Sequence, residues 1–140
     1  MFSVRIRNMM ELEKMVTALP ETTVGEAARL MASARVGAVM IIENEALIGI
    51  FTERDALYRV IAPARDAQTT RLAEVMTPSP ISVDPGRSFG YALQLMHEHG
   101  FRHVPVVEDG KPVGIVSARD ALDPEMEDFI SEARRREGIR

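Results

Sequence analysis

The chain contains no cysteine among its 140 residues. Disulfides, thiolate zinc sites and cysteine nucleophiles are therefore all excluded. No apolar run approaches the ~20 residues that a membrane-spanning helix needs, and Arg5 and Arg7 interrupt the apolar pattern of the first ten positions. A soluble, cytoplasmic protein with no membrane partner is the default expectation. Excess basic charge is missing too, since 17 Lys and Arg stand against 21 Asp and Glu for a net charge of −4. With the two signs interspersed, nothing draws the chain to phosphate backbones, and no nucleic-acid partner is expected. The one basic run, Arg134-Arg135-Arg136, reads as the solvated end of a helix, where cations complement the dipole. No Ser-His-Asp arrangement or paired-carboxylate constellation is visible, so no catalytic residue is assigned and the chain is read as a non-enzyme. His97 and His99 are two apart on an expected helix; they face different ways, and no metal site is expected.

What is present is a globular balance, 46% hydrophobic and 27% charged residues, which can bury a real core. It is organised by an internal repeat. Gly49-Ile50-Phe51-Thr52-Glu53-Arg54-Asp55-Ala56-Leu57 matches Gly114-Ile115-Val116-Ser117-Ala118-Arg119-Asp120-Ala121-Leu122, 65 residues further on. The same offset pairs Pro20 with Pro85, Gly25 with Gly90, Leu30-Met31 with Leu95-Met96 and Val39 with Val104 without a gap. Two copies of one supersecondary unit are present.

Each copy reads as β-α-β-β-α. In the first, Thr23-Val24-Gly25-Glu26 is a capping box that opens an amphipathic run through Ala27, Leu30, Met31 and Ala34, ending near Gly37. Two short apolar strands follow, 38–42 and 47–51, separated by the polar Glu43-Asn44-Glu45, and a second helix starts after Thr52. The second copy has a leading strand Ile81-Ser82-Val83, a helix over about Phe89 to His99, and strands around the turn signal Asp109-Gly110. The expected class is α/β of the α+β type, with repeat 1 at 1–62, a linker at 63–71, repeat 2 at 72–122 and a C-terminal amphipathic helix and tail at 123–140. A copy of about 60 residues is marginal alone, so the repeats are expected to pack face to face. Apolar helix faces left over from that packing predict a homodimer.

Chemistry concentrates in the motif Gly-apolar-apolar-Thr/Ser-x-x-Asp, which ends at Asp55 and at Asp120. A strand there delivers a hydroxyl to a helix N-terminus, whose unpaired N–H groups and dipole favour phosphate. The aspartate one turn later suits a ribose diol, and Arg54 and Arg119 add charge suited to phosphate. The bland alternative is local, because Thr52-x-x-Asp55 and Ser117-x-x-Asp120 are also capping boxes that merely start helices. Two copies in register favour the ligand motif.

With Glu74-Val75-Met76-Thr77-Pro78 and Gly100-Phe101-Arg102-His103-Val104-Pro105-Val106 added, residues 10 to 122 resemble the CBS-domain family, specifically its tandem pair, the Bateman module. The resemblance implies a pseudo-twofold unit with two clefts, each binding an adenosine-containing ligand: AMP above all, or ADP, ATP, NAD or S-adenosylmethionine. It implies a regulatory role with an unidentified target protein in trans, and a flat, disc-like dimer. Carried onto this chain, Thr52, Arg54 and Asp55 would serve one cleft and Ser117, Arg119 and Asp120 the other. Val36-Gly37-Ala38 and Phe101-Arg102-His103 would frame base and phosphate, with Thr77, Ile81 and Pro105 also contributing. Arg102 and His103 are phosphate candidates without an assigned cleft, since in this family such a contact can come from the opposite repeat. Repeat 1 departs from the pattern, with Glu11-Leu12 in place of Met76-Thr77 and Ala38 in place of His103. Asp120→Asn is therefore expected to weaken binding more than Asp55→Asn.

Overall fold

Local sequence signals set where each element begins and ends. The computed structural model describes residues 3–10 and 15–121; the C-terminal helix expected at 124–136, together with Glu11 and Leu12, lies outside them. Strand β1 (Thr17–Ala18) leads into helix α1 (Val24–Ala34). Thr23 Oγ1 accepts the Glu26 N–H at 3.2 Å while Glu26 Oε2 accepts the Thr23 N–H at 3.3 Å, so two orphan donors are satisfied reciprocally. The helix ends at Arg35, two residues before the expected Gly37, in a left-handed conformation of φ 57°.

Strands β2 (Ala38–Glu43) and β3 (Ala46–Thr52) then form a hairpin. Its two-residue turn puts Asn44 and Glu45 at φ 53° and 66°, the twist that matches paired strands. Helix α2 (Glu53–Asp55) runs on as a π-helical turn, Ala56–Ile61. Repeat 2 follows the same order with α4 (Phe89–His99), β5 (His103–Glu108) and β6 (Lys111–Ser117), closed by a 3-10 turn at Ala118–Ala121. Here Gly100 takes the left-handed cap at φ 74°. The expected leading strand at 81–83 contracts to one parallel bridge, Val83 to Val106. Pro80 and Pro85 flank it, and proline has no N–H to extend a ladder.

Between the repeats, α3 (Leu72–Val75) and β4 (Thr77–Pro78) do not stay with the second core. β4 pairs antiparallel with β3, giving a four-stranded sheet in the order β1-β2-β3-β4, and Leu72 and Val75 are buried in the first core beside Phe51. The opening segment makes the reciprocal move, burying Ile6 in the second core against Val104 and Val116. The backbone bonds match as well. Leu72 N–H donates to Thr22 O at 2.8 Å and Ile6 N–H to Arg87 O at 2.9 Å, two acceptors that are themselves related by the repeat. Each repeat thus lends its first segment to the other core.

Glycine makes this exchange possible at two strands. A Cβ at Gly114 would lie 2.7 Å from Met10 Sδ, and one at Gly49 would collide with Met76. The motif glycine is therefore the floor on which the borrowed methionine packs. Met76 seated on Gly49 brings its neighbour Thr77 opposite Ile50, and so to the edge of a cleft.

Candidate functional site

Two cavities lie between the repeats, of about 490 Å³ and about 820 Å³. Both fall in the ~300–1,000 Å³ range of small-molecule sites. The smaller is walled on one side by Thr52, Arg54 and Asp55 of repeat 1, and on the other by Thr77, Ile81, Phe101, Arg102 and His103 of repeat 2. The larger brings Ser117, Arg119 and Asp120 against Val36, Gly37 and Ala38, and again reaches Arg102 and His103. Each motif thus faces the opposite repeat's strand start, and Arg102 and His103 border both cavities. Pro105 lines neither: it is fully buried in β5, and its carbonyl accepts the Val83 N–H at 3.0 Å.

The crossing sets Ala38, the altered position, against Asp120, and Thr77 against Asp55.

At the motif itself the cap is real. Thr52 Oγ1 accepts the Asp55 N–H at 3.2 Å, and Asp55 Oδ2 accepts the Thr52 N–H at 2.9 Å and hydroxyl at 3.2 Å. Ser117 N–H donates to Asp120 Oδ2 at 2.8 Å. Capping does not exhaust the Asp55 carboxylate, which offers about four lone-pair sites. Asp55 Oδ1 meets Arg59 Nε at 3.6 Å, and the cap itself uses only Oδ2. The helix N-terminus is less open than expected. Glu53 N–H is taken by Gly37 O at 2.9 Å, Ala118 N–H by Arg102 O at 2.9 Å, and Asp55 N–H by the Thr52 hydroxyl. The positive groups that line the two clefts are the side chains of Arg35, Arg54, Arg102 and Arg119. Arg54 is partly spent, since its Nη1 donates to Gly100 O, 3.3 Å away in the other repeat.

Burial holds the His103 pKa below its ordinary value of 6.5; Glu53 pulls it up, and Arg102 and Arg119 press it further down. Its imidazole is neutral at pH 7. A Cβ at Gly37 would lie 3.0 Å from Glu53 Oε1 and 3.2 Å from His103 Nε2, so any other residue there obliges those side chains to give way. His99 stacks on Phe101 with centroids 5.5 Å apart.

The lining residues that the sequence did not single out include Arg35, Glu53 and Tyr58. Glu53 and Tyr58 were within reach, standing beside Thr52 and three residues after Asp55. Arg35 carried no signal except that its repeat partner is Gly100. It keeps a left-handed conformation that costs a non-glycine residue ~1–2 kcal/mol, in the wall of the larger cavity. Among the described residues no group of three or more His, Cys, Asp or Glu could hold a metal ion, and no helix is long and apolar enough to cross a membrane.

The CBS-domain family model matches residues 6–62 and 72–126. A Bacillus subtilis relative, the CBS domain-containing protein YhcV, is 39% identical over 107 residues, 76% of each chain. Several other curated relatives are much longer, and the chain spans 21% of their length. Among solved structures, an uncharacterized conserved protein from Pyrococcus horikoshii aligns with a TM-score of 0.81 at 31% identity, covering 89% of this chain and 94% of that one. The CBS domain protein PAE2072 from Pyrobaculum aerophilum, complexed with AMP, aligns with a TM-score of 0.77 at 27% identity, covering 84% and 89%.

Proposed function

The chain belongs to the CBS-domain family as a tandem pair, and from that premise we propose a non-catalytic sensor whose clefts bind an adenosine-containing ligand and signal occupancy to a partner protein in trans. One observation carries the proposal. Thr52 and Asp55 of one repeat, and Thr77, Arg102 and His103 of the other, converge on a single cavity of about 490 Å³. In that arrangement the Asp55 carboxylate takes the ribose hydroxyls, Thr77 and Ile81 edge the base, and Arg102 meets phosphate. The neutral His103 adds a hydrogen bond without adding charge. With Arg54 drawn to the Gly100 carbonyl, Arg102 is the guanidinium left for phosphate, which favours AMP over ATP and NAD in this cleft. PAE2072, complexed with AMP, supports the same choice.

Ligand closing the cleft engages both repeats at once, so binding shifts their relative position by no more than its differential affinity for the two arrangements. A homodimer is part of this reading. Leu57, Tyr58 and Ile61 are 49%, 65% and 68% exposed on the π-helical turn, and the first two also line the Asp55 cleft. A partner copy covering them would couple ligand occupancy to the interface, and light scattering at micromolar concentration reads its mass.

The decisive test is thermal melting of nucleotide-free protein with AMP, ATP, NAD and S-adenosylmethionine. A ligand that binds only the folded state adds about 2.7 kcal/mol at one hundred times its Kd. AMP is expected to raise Tm most. No response to any of the four would overturn the sensor reading and leave an interaction module.

A further inference from the structure

The two clefts are not separate compartments. Glu53, Arg102 and His103 border both cavities, so one three-residue wall stands between the two ligand positions. Gly37 gives this wall its room, since any side chain there would press on Glu53 and His103.

The cations on the two sides are unequal. The Asp120 cleft holds Arg35 and Arg119 in addition to Arg102. The Asp55 cleft holds Arg54 and Arg102, and Arg54 already donates to the Gly100 carbonyl. His103, kept neutral by burial, supplies no second cation, and Glu53 adds negative charge to the wall. A guanidinium presents its donors in one rigid plane, so a bidentate phosphate contact commits it to one side.

Resting on the adenosine-ligand reading, we propose that the clefts compete for Arg102, so that a phosphate-bearing ligand in one weakens binding of a second in the other. The Asp55 cleft loses more in this contest, because the Asp120 cleft keeps Arg35 and Arg119 when Arg102 turns away. The chain then reports its first bound nucleotide over a low concentration range and its second only over a much higher one.

Titration calorimetry with AMP tests this on the wild type, two cleft-filling variants and Arg102→Met, the last also combined with each cleft-filling change. Ala118→Trp fills the Asp120 cleft and isolates the Asp55 cleft; Thr77→Trp does the reverse. Where a tryptophan variant melts early, Ala118→Phe or Thr77→Phe, a smaller plug at the same place in the lining, replaces it. In the wild type, the product of the two stepwise association constants should fall about tenfold or more below the product of the two single-cleft constants, the effect of one lost charge-assisted hydrogen bond. Adenosine, which has no phosphate, should give equal products, and Arg102→Met should restore equality for AMP. Equal products for AMP, or a wild-type product above the other, would overturn the competition and leave the sensor reading intact. So would AMP binding in only one single-cleft variant, since no second site would exist. No binding of AMP or adenosine by any of the proteins would overturn AMP as the ligand and the competition with it, while the sensor reading falls only if ATP, NAD and S-adenosylmethionine fail as well.

Discussion

The two clefts start from one motif and diverge through what the opposite repeat places against it. The Asp55 cleft is the narrower and faces Thr77, Phe101 and His103. The Asp120 cleft is wider and faces Gly37 and Ala38, but it gains Arg35 and Arg119. Shape is thus invested on one side and charge on the other. Duplication of a motif therefore does not duplicate a site, because a cleft between repeats takes half its wall from the copy that lacks the motif in question.

The cores differ in a parallel way, and there the largest effect is expected. Phe51 of the first core stands where Val116 stands in the second, and both are fully buried. Phe51→Ala should cost ~3–5 kcal/mol in chemical denaturation, and Val116→Ala clearly less, since the cavity left behind is smaller. Equal losses would mean that the two cores share their load evenly despite the size difference.

Next come the aspartates. Asp55→Asn should weaken AMP binding by ~1.5–3 kcal/mol, roughly ten- to hundredfold, with little loss of stability because Asn still caps. Asp120→Asn should weaken it less, in the larger cavity that faces Ala38 rather than Thr77. Calorimetry on both variants settles the order, and a larger loss at Asp120 would restore the ranking read from sequence. A large fall in Tm with affinity intact would reduce both residues to caps.

Arg35 and Gly100 sharpen the contrast at the helix ends. Arg35→Gly should stabilise the fold by ~1 kcal/mol through relief of the left-handed strain. It should also weaken AMP in the Asp120 cleft alone, measured in the Thr77→Trp background. Stabilisation without any loss of binding would show that the arginine is not there for the ligand.

The smallest effect belongs to His103, opposed in repeat 1 by the non-titrating Ala38. Its folded pKa is lowered, chiefly by burial, so below its unfolded value of 6.5 the unfolded chain binds the extra proton. Stability from this group is complete above about pH 6.5 and is lost as pH falls below it. Denaturation between about pH 7.5 and about pH 5 should show that slope in the wild type and a flatter one in His103→Gln. An unchanged slope would place the titration elsewhere.

Much of the fold was legible along the chain, because caps, hairpin turns and helix faces are local. Thr23-x-x-Glu26, Asn44-Glu45 and Asp109-Gly110 form the cap and turns that their chemistry dictates. The 65-residue offset pairs core positions such as Ala27 with Ala92, Met31 with Met96 and Val39 with Val104, all six of them buried. The motif hydroxyls and carboxylates also stand where a strand meets a helix, as read.

What the sequence determined by itself is whatever depends on neighbours within about ten positions, together with the identity of two copies. What only the tertiary structure decided is which copy faces which. The exchange of the segments around Ile6 and Leu72, the seating of Met10 and Met76 on the strand glycines, the crossing of each aspartate to the other repeat and the shared wall of Glu53, Arg102 and His103 all join residues far apart in the chain. Such contacts form because each repeat is too small to bury its own apolar surface, and no spacing rule along a single chain records which partner completes the burial.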